Sequence, residues 1–220
     1  MKPFHSLTAV AAPMPESDID TDVIFPARYL LLTDKAGLGP YAFFDRRYTA
    51  EGHERPEFVL NRAPWRQAGI LVAGANFGCG SSREQAPWAL ADLGLRCIVA
   101  LGFGEIFRAN CYANGMLPIA LGAKAHARVL REAEAGRPMT VDLMGGLIEL
   151  SGEPTGDDTC GPIGFEVPQR QRAALLSGLD EIALIQRDES RHIAAFEQRQ
   201  RERMPWLFAP SDPPLRTDPR

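Results

Sequence analysis

Asn76-Phe77-Gly78-Cys79-Gly80-Ser81-Ser82-Arg83-Glu84-Gln85 is the stretch on which the fold of this chain turns. An apolar run, Ile70-Leu71-Val72-Ala73, leads into it, and a helix-like stretch from Glu84 to Leu93 follows. The order is therefore strand, glycine loop, helix N-terminus. Such a loop aims free backbone N–H groups and the positive end of a helix dipole at one point, and an anion held there needs no other device. Gly78 and Gly80 let the backbone approach a ligand closely. Ser81 and Ser82 add hydroxyls, and Arg83 adds a planar fork suited to a carboxylate or phosphate. Ser82 and Gln85 stand at capping-box spacing, so Ser82 is also expected to cap the helix. A capped turn does not account for two glycines, two serines and an arginine side by side, and a small polyanion is the expected ligand.

Several other uses of a glycine loop are disfavoured. A dinucleotide fingerprint requires a third glycine where Arg83 stands. A phosphate-binding loop requires a Gly-Lys pair, which the sequence lacks, and no Gly-x-Ser-x-Gly nucleophile elbow is present.

Outward from the loop, strands at 70–73, 95–101 and 117–121 alternate with helices at 84–93 and 104–114. That alternation predicts an α/β fold with a parallel-sheet core and helices packed on it. A ligand then belongs at the carboxyl ends of the strands, where the 76–83 loop lies. Gly115 just past the second helix is suited to a C-cap, with Pro118 soon after. Residues 139–150 read as a β-hairpin turning at Gly145-Gly146, and Ile163 to Val167 as a further strand. Helices at 124–135 and 188–203 carry both signs of charge and read as solvated outer faces. Residues 27–62 mix glycine, aromatics and charge, and are expected to form a flap that covers or shapes the site. Five prolines between Pro205 and Pro219 predict a loose tail over 205–220, which leaves one domain over 1–204.

Composition bounds the function. At 220 residues with 45% hydrophobic side chains, the chain can bury one sizeable core. Its net charge of −4, with no basic stripe, argues against a nucleic-acid partner. No apolar run reaches the length of a membrane span, and the start lacks the pattern of a signal peptide. Cys79, Cys97, Cys111 and Cys160 are far apart, which speaks against a metal or disulfide framework. Reduced thiols in the cytoplasm are the expectation, with Cys97 a buried strand residue.

Three ordered blocks resemble a known family. Phe77-Gly78-Cys79-Gly80-Ser81-Ser82-Arg83-Glu84, running on to Leu90, is similar to the small subunits of 3-isopropylmalate dehydratase, the swivelling β/β/α domain of the aconitase superfamily. Asp20-Thr21-Asp22-Val23-Ile24-Phe25-Pro26 resembles that family's first signature. Gly102 to Phe107, with Asn110 and Asn114-Gly115-Met116-Leu117-Pro118, resembles its third. The segment from Gly178 to Phe196 resembles the C-terminal part, so the likeness covers roughly residues 5–200.

The resemblance implies a chain that binds no cofactor itself and works with a large subunit that holds a [4Fe–4S] cluster. Together they would remove water from 2-isopropylmalate and add it back to give 3-isopropylmalate. Ser81 matches the family's base, and a serine serves only as an alkoxide stabilised by N–H groups, a helix end and Arg83. Arg83 would hold a substrate carboxylate by two parallel hydrogen bonds, and Asp22 would orient a histidine of the partner. Gly80 and Ser82 would complete the carboxylate site. Substrate choice falls to Ala27–Thr33. Relatives that accept an extra carboxylate place an arginine where this chain has Leu31, flanked by Leu30 and Leu32. These leucines suit an isopropyl group and leave a buried carboxylate unpaired, although Arg28 remains available.

Gln85 departs from the family's usual histidine and cannot titrate near neutral pH. A paralogous hydro-lyase acting on citraconate, dimethylmalate or a similar diacid is the alternative. A non-catalytic module that binds organic anions is another. Self-association of the isolated chain, through the surface meant for the large subunit, is a further expectation.

Overall fold

The structure, a computed structural model, describes residues 1–152 and 161–208. It opens with strand β1 (Ser6–Met14), followed by the short helices α1 (Thr21–Ile24) and α2 (Phe44–Arg47). Strand β2 (Ile70–Ala73), helix α3 (Gln85–Asp92), strand β3 (Cys97–Ala100), helix α4 (Glu105–Ala113) and strand β4 (Leu117–Ala120) come next. Helix α5 (Ala123–Glu134), strands β5 (Pro138–Asp142), β6 (Leu147–Leu150) and β7 (Ile163–Gly164), and helices α6 (Gln169–Ser177), α7 (Glu181–Asp188) and α8 (Ser190–Arg203) complete the described order.

The alternating unit expected between residues 70 and 121 is present, with element ends moved by one or two residues. The seven strands form one sheet in the order β4-β3-β2-β1-β5-β6-β7. β1 to β4 pair in parallel, whereas β5, β6 and β7 run antiparallel from the other edge of β1. The central strand is thus β1, which the sequence pattern does not announce.

Every residue of β2 and β3 is buried, as expected of parallel strands covered on both faces. Their side chains alternate between two cores. Leu71, Ala73 and Ile98 join Leu90 of α3, Phe107 of α4 and the Ile24, Phe25 and Phe43 side chains. Ile70, Val72, Cys97 and Val99 join Val129 of α5, Ile148 of β6 and Leu175 of α6. Cys97 is a fully buried strand residue, as its neighbours predict.

Much of the stretch 27–62 is anchored in the body. Leu38, Ala42, Phe43 and Leu60 are core residues. Phe43 adopts a left-handed φ of 52° and donates its N–H to Ile24 O at 2.8 Å. The guanidinium of Arg47, itself buried, donates to Gly39 O at 2.9 Å and Asn61 Oδ1 at 3.2 Å. Residues 31–37, in contrast, are all exposed.

The chain divides into two compact units, Met1–Asp180 and Glu181–Arg220. The second contains α7, α8 and a 3₁₀ turn at Pro205–Phe208, with Arg201 lying 4.7 Å from the Phe208 ring centre. The rest of the proline-rich tail, and Cys160, lie outside the described residues.

Candidate active site

The three sequence blocks leave the carboxyl ends of three adjacent parallel strands, and this brings them together. Residues 15–20 follow β1, 74–84 follow β2 and 101–104 follow β3. The glycine loop is laced to both neighbours. On one side Gly78 N donates to Ile19 O at 2.7 Å and Thr21 N to Cys79 O at 2.9 Å. On the other, Phe77 N donates to Gly102 O at 3.0 Å and Gly104 N to Phe77 O at 2.9 Å. Asp18 and Asn76, both with positive φ, face each other through Asn76 Nδ2 and Asp18 Oδ1 at 2.7 Å.

The two loop glycines serve different ends. Gly78 has φ +74°, and a Cβ there would stand 2.2 Å from Phe107 Cγ, so it is needed for packing. Gly80 has φ +90°, but a Cβ would approach nothing closer than 3.5 Å. Its role is conformational, turning the chain into an exposed segment.

Beyond Gly80 the backbone opens. Among the described residues, the N–H groups from Gly80 through Gln85 donate to no protein acceptor. Ser81 and Ser82 are exposed, and their hydroxyls have no protein partner among the described residues. Successive unpaired N–H groups ahead of a helix make an anion-receptive concavity. Thr21, fully buried, fixes the segment from beneath: its Oγ1 donates to Ser81 O at 2.8 Å.

Arg83 and Asp22 form an ion pair across the site. The same Arg83 nitrogen donates to Phe25 O at 3.2 Å, and the side chain is 11% exposed against 51% for Asp22. Nε and Nη2 of Arg83 have no protein partner among the described residues. Asp20 rather than Asp22 caps α1, accepting from Val23 N at 2.7 Å. Asp22 is thereby left for the arginine. Cys79 lies half-buried beside Asp20, and desolvation with the nearby carboxylates pushes its thiol upward.

The 27–33 segment sits next to α3. Leu30 packs on the core, whereas Leu31 is 92% exposed and Leu32 is also on the surface. Gln85 Nε2 lies 3.5 Å from Leu30 O. Arg28 is paired with Asp45 through both terminal nitrogens and lies over the Tyr29 and Phe44 rings.

The Aconitase C-terminal domain model matches residues 1–124, and the model for the C-terminal domain of the 3-isopropylmalate dehydratase small subunit matches residues 190–210. A 3-isopropylmalate dehydratase small subunit from Paramagnetospirillum magneticum is 47% identical over 94% of this chain and 100% of its own length. That of Gluconacetobacter diazotrophicus is 46% identical over 94% and 97%. The chain belongs to the 3-isopropylmalate dehydratase small-subunit family. A crystal structure of 3-isopropylmalate dehydratase from Methanocaldococcus jannaschii shares the fold, with TM-score 0.62 and 24% identity over 86% of this chain and 99% of that one.

Within this family frame one expectation is corrected. Ser82 does not cap α3. The helix begins later, with Glu84 at the N-cap and no side-chain cap bond. Arg28 is held by Asp45 in an ion pair whose two side chains are both half-exposed or more. Thr21 and the Phe25 carbonyl are positioning groups to which sequence reasoning assigned no role. A threonine between two aspartates before a buried run is the only local hint of the first.

Proposed function

We propose that this chain is the substrate-binding half of 3-isopropylmalate dehydratase, completed by a large subunit. It would interconvert 2-isopropylmalate and 3-isopropylmalate through 2-isopropylmaleate. The observation that carries the proposal is the row of unpaired N–H groups from Gly80 to Gln85, set beside the exposed Ser81 hydroxyl and the Arg83–Asp22 pair.

These residues suit a dicarboxylate. The row of N–H groups and the free edge of Arg83 bind one carboxylate. Ser81 Oγ takes a proton from the substrate methylene as the adjacent carbon loses its hydroxyl as water, the second proton coming from the large subunit's side. In the addition that follows, a proton goes to the carbon that bore the hydroxyl and the hydroxyl of water to the former methylene. The positive potential of the N–H groups and Arg83 holds that oxygen as an alkoxide. Asp22 keeps Arg83 in place and presents its exposed oxygen to a histidine of the large subunit.

The described residues do not fit a cluster of their own. No group of three or more His, Cys, Asp or Glu among them is placed to hold a metal. Cys97 and Cys111 are fully buried, and burial pushes both thiols well above their ordinary value. The family resemblance is what assigns the [4Fe–4S] cluster to the large subunit.

An isopropyl substituent is favoured by Leu31 and Leu32, which offer exposed apolar surface, and by Arg28 already having Asp45 as its partner. The test is reconstitution with the cluster-loaded large subunit under anaerobic conditions, offering 2-isopropylmalate, citraconate and dimethylmaleate. Turnover of the isopropyl substrate is expected. Turnover of only a methyl-bearing diacid would assign the chain to a paralogous hydro-lyase, and binding without turnover of any would make it an anion-binding module.

A further inference from the structure

Residues 31–37 leave the body after Leu30 and rejoin it at Leu38, which is 2% exposed. They carry the two surface leucines assigned above to the substrate's substituent. Among the described residues, one side chain in this stretch makes a hydrogen bond or ring contact with the body: Lys35. Its Nζ donates to Asn114 Oδ1 at 3.0 Å and lies 4.7 Å from the centre of the Trp88 ring. Trp88 Nε1 donates to the same Asn114 oxygen at 2.8 Å. Asn114 in turn donates through Nδ2 to Asn110 O at 2.9 Å, which fixes its amide orientation. Asn114 sits at the C-terminal end of α4, where the last carbonyls favour a cation.

We propose that Lys35, Trp88 and Asn114 form a clasp that positions the 31–37 segment for substrate, making Lys35 and Asn114 positioning residues for the substituent pocket. The proposal rests on the assignment of Leu31 and Leu32 to the substrate. Trp88 belongs to the helix that follows Ser81 and Arg83, and Asn114 to the end of the third block. The clasp thus joins the substituent-reading segment to the elements that hold the catalytic loop. It also gives Asn114, which the sequence motif contains without a role, a physical task.

Amide hydrogen exchange of the isolated chain and steady-state kinetics of the reconstituted enzyme test this together. Lys35→Met removes the ammonium and keeps the stem, and Lys35→Arg restores a cation over the ring. Asn114→Ala removes the shared acceptor independently. In Lys35→Met and Asn114→Ala, exchange across 31–37 is expected to quicken and KM for 2-isopropylmalate to rise about 10-fold, the size of one charged hydrogen bond with one exposed cation–π contact. The turnover number should hold, and Lys35→Arg should behave like the unmodified chain. Unchanged exchange in both variants would overturn the clasp. Faster exchange with unchanged KM would overturn the positioning role instead, since the segment would then not read the substrate.

Discussion

Arg83 of the glycine loop and Asp22 of the first block are joined in an ion pair although 61 positions separate them in the sequence. The pair presets the arginine before substrate arrives, with one nitrogen held by Asp22 and the Phe25 carbonyl and the opposite edge free. Asp22→Asn should therefore cost activity with little effect on folding, because exposed pairs contribute only about 0–1 kcal/mol to stability. Arg83→Lys should lower kcat/KM about 10- to 100-fold, the value of a charged bidentate contact that an ammonium cannot make. Thermal melting alongside kinetics separates the two effects, and a large drop in Tm for Asp22→Asn would count against this account.

Ser81→Ala should lower turnover about 10²- to 10⁴-fold, the usual worth of a positioned acid–base group. Assembly with the large subunit should persist, because Ser81 contributes its backbone carbonyl, not its hydroxyl, to the fold. Size-exclusion chromatography of the complex with an absorbance assay reads both. Undiminished turnover would remove Ser81 from the mechanism.

Leu31→Arg should reverse the apolar character of the rim. With Arg28 already neutralised by Asp45, a new arginine there would be the unpaired cation of the segment. The kcat/KM for 2-isopropylmalate is expected to fall about 10-fold or more, as for loss of a small apolar group's contact. A diacid with a carboxylate in place of the isopropyl group should gain. Competition between the two substrates measures the shift directly, and no change in their ratio would detach Leu31 from specificity.

Gly78→Ala and Gly80→Ala should part company. At Gly78 a Cβ meets both a left-handed φ and the Phe107 ring at 2.2 Å. Strain and overpacking together should cost about 2–5 kcal/mol. Gly80→Ala faces only the φ, a cost of about 1–2 kcal/mol. Its larger effect should be on substrate affinity, because the row of N–H groups begins there. Denaturant melts of both variants check the ordering.

Glu132 of α5 is buried and takes Arg137 on both oxygens at 2.7 and 2.8 Å, with Gly152 N at 3.0 Å. The Arg137 hydrogen bonds hold its carboxyl below the ordinary 4.5. A depressed folded-state value means that this contribution is complete above the unfolded value and is lost as pH falls through the folded one. The unmodified chain should therefore lose stability as pH drops below about 4.5. Glu132→Gln should be less stable at neutral pH and show a shallower acid limb in the same range. Parallel pH dependences would exclude Glu132 as a source of acid sensitivity.

The alternation from Ile70 to Ala120 was legible because each strand is a short apolar run buried on both faces and each loop carries its own turn residues. The same locality made the glycine loop after β2, the Gly115 helix stop and the Gly145-Gly146 hairpin readable. Strand β1 was not. Ser6–Met14 holds Thr8, a run of small residues and Pro13, and its place depends on partners far along the chain, Ala11 on Ile70 and Leu7 on Val141.

The sequence alone determined which residue types stand in the blocks that meet at the strand ends, since Asp22, Ser81 and Arg83 lie in motifs whose order and spacing are local properties. Only the tertiary structure decided how they are used. The parallel order of β1, β2 and β3 sets three strand exits side by side, and that adjacency gives Arg83 its carboxylate and Ser81 its Thr21 support. The start of α3 at Gln85, after an N-cap at Glu84, leaves Ser82 outside the helix cap. Asp45, brought in by α2, is the carboxylate that Arg28 pairs with. Each of these outcomes is a pairing between distant segments, fixed by packing and charge once the sheet has formed, and no spacing within one motif encodes it.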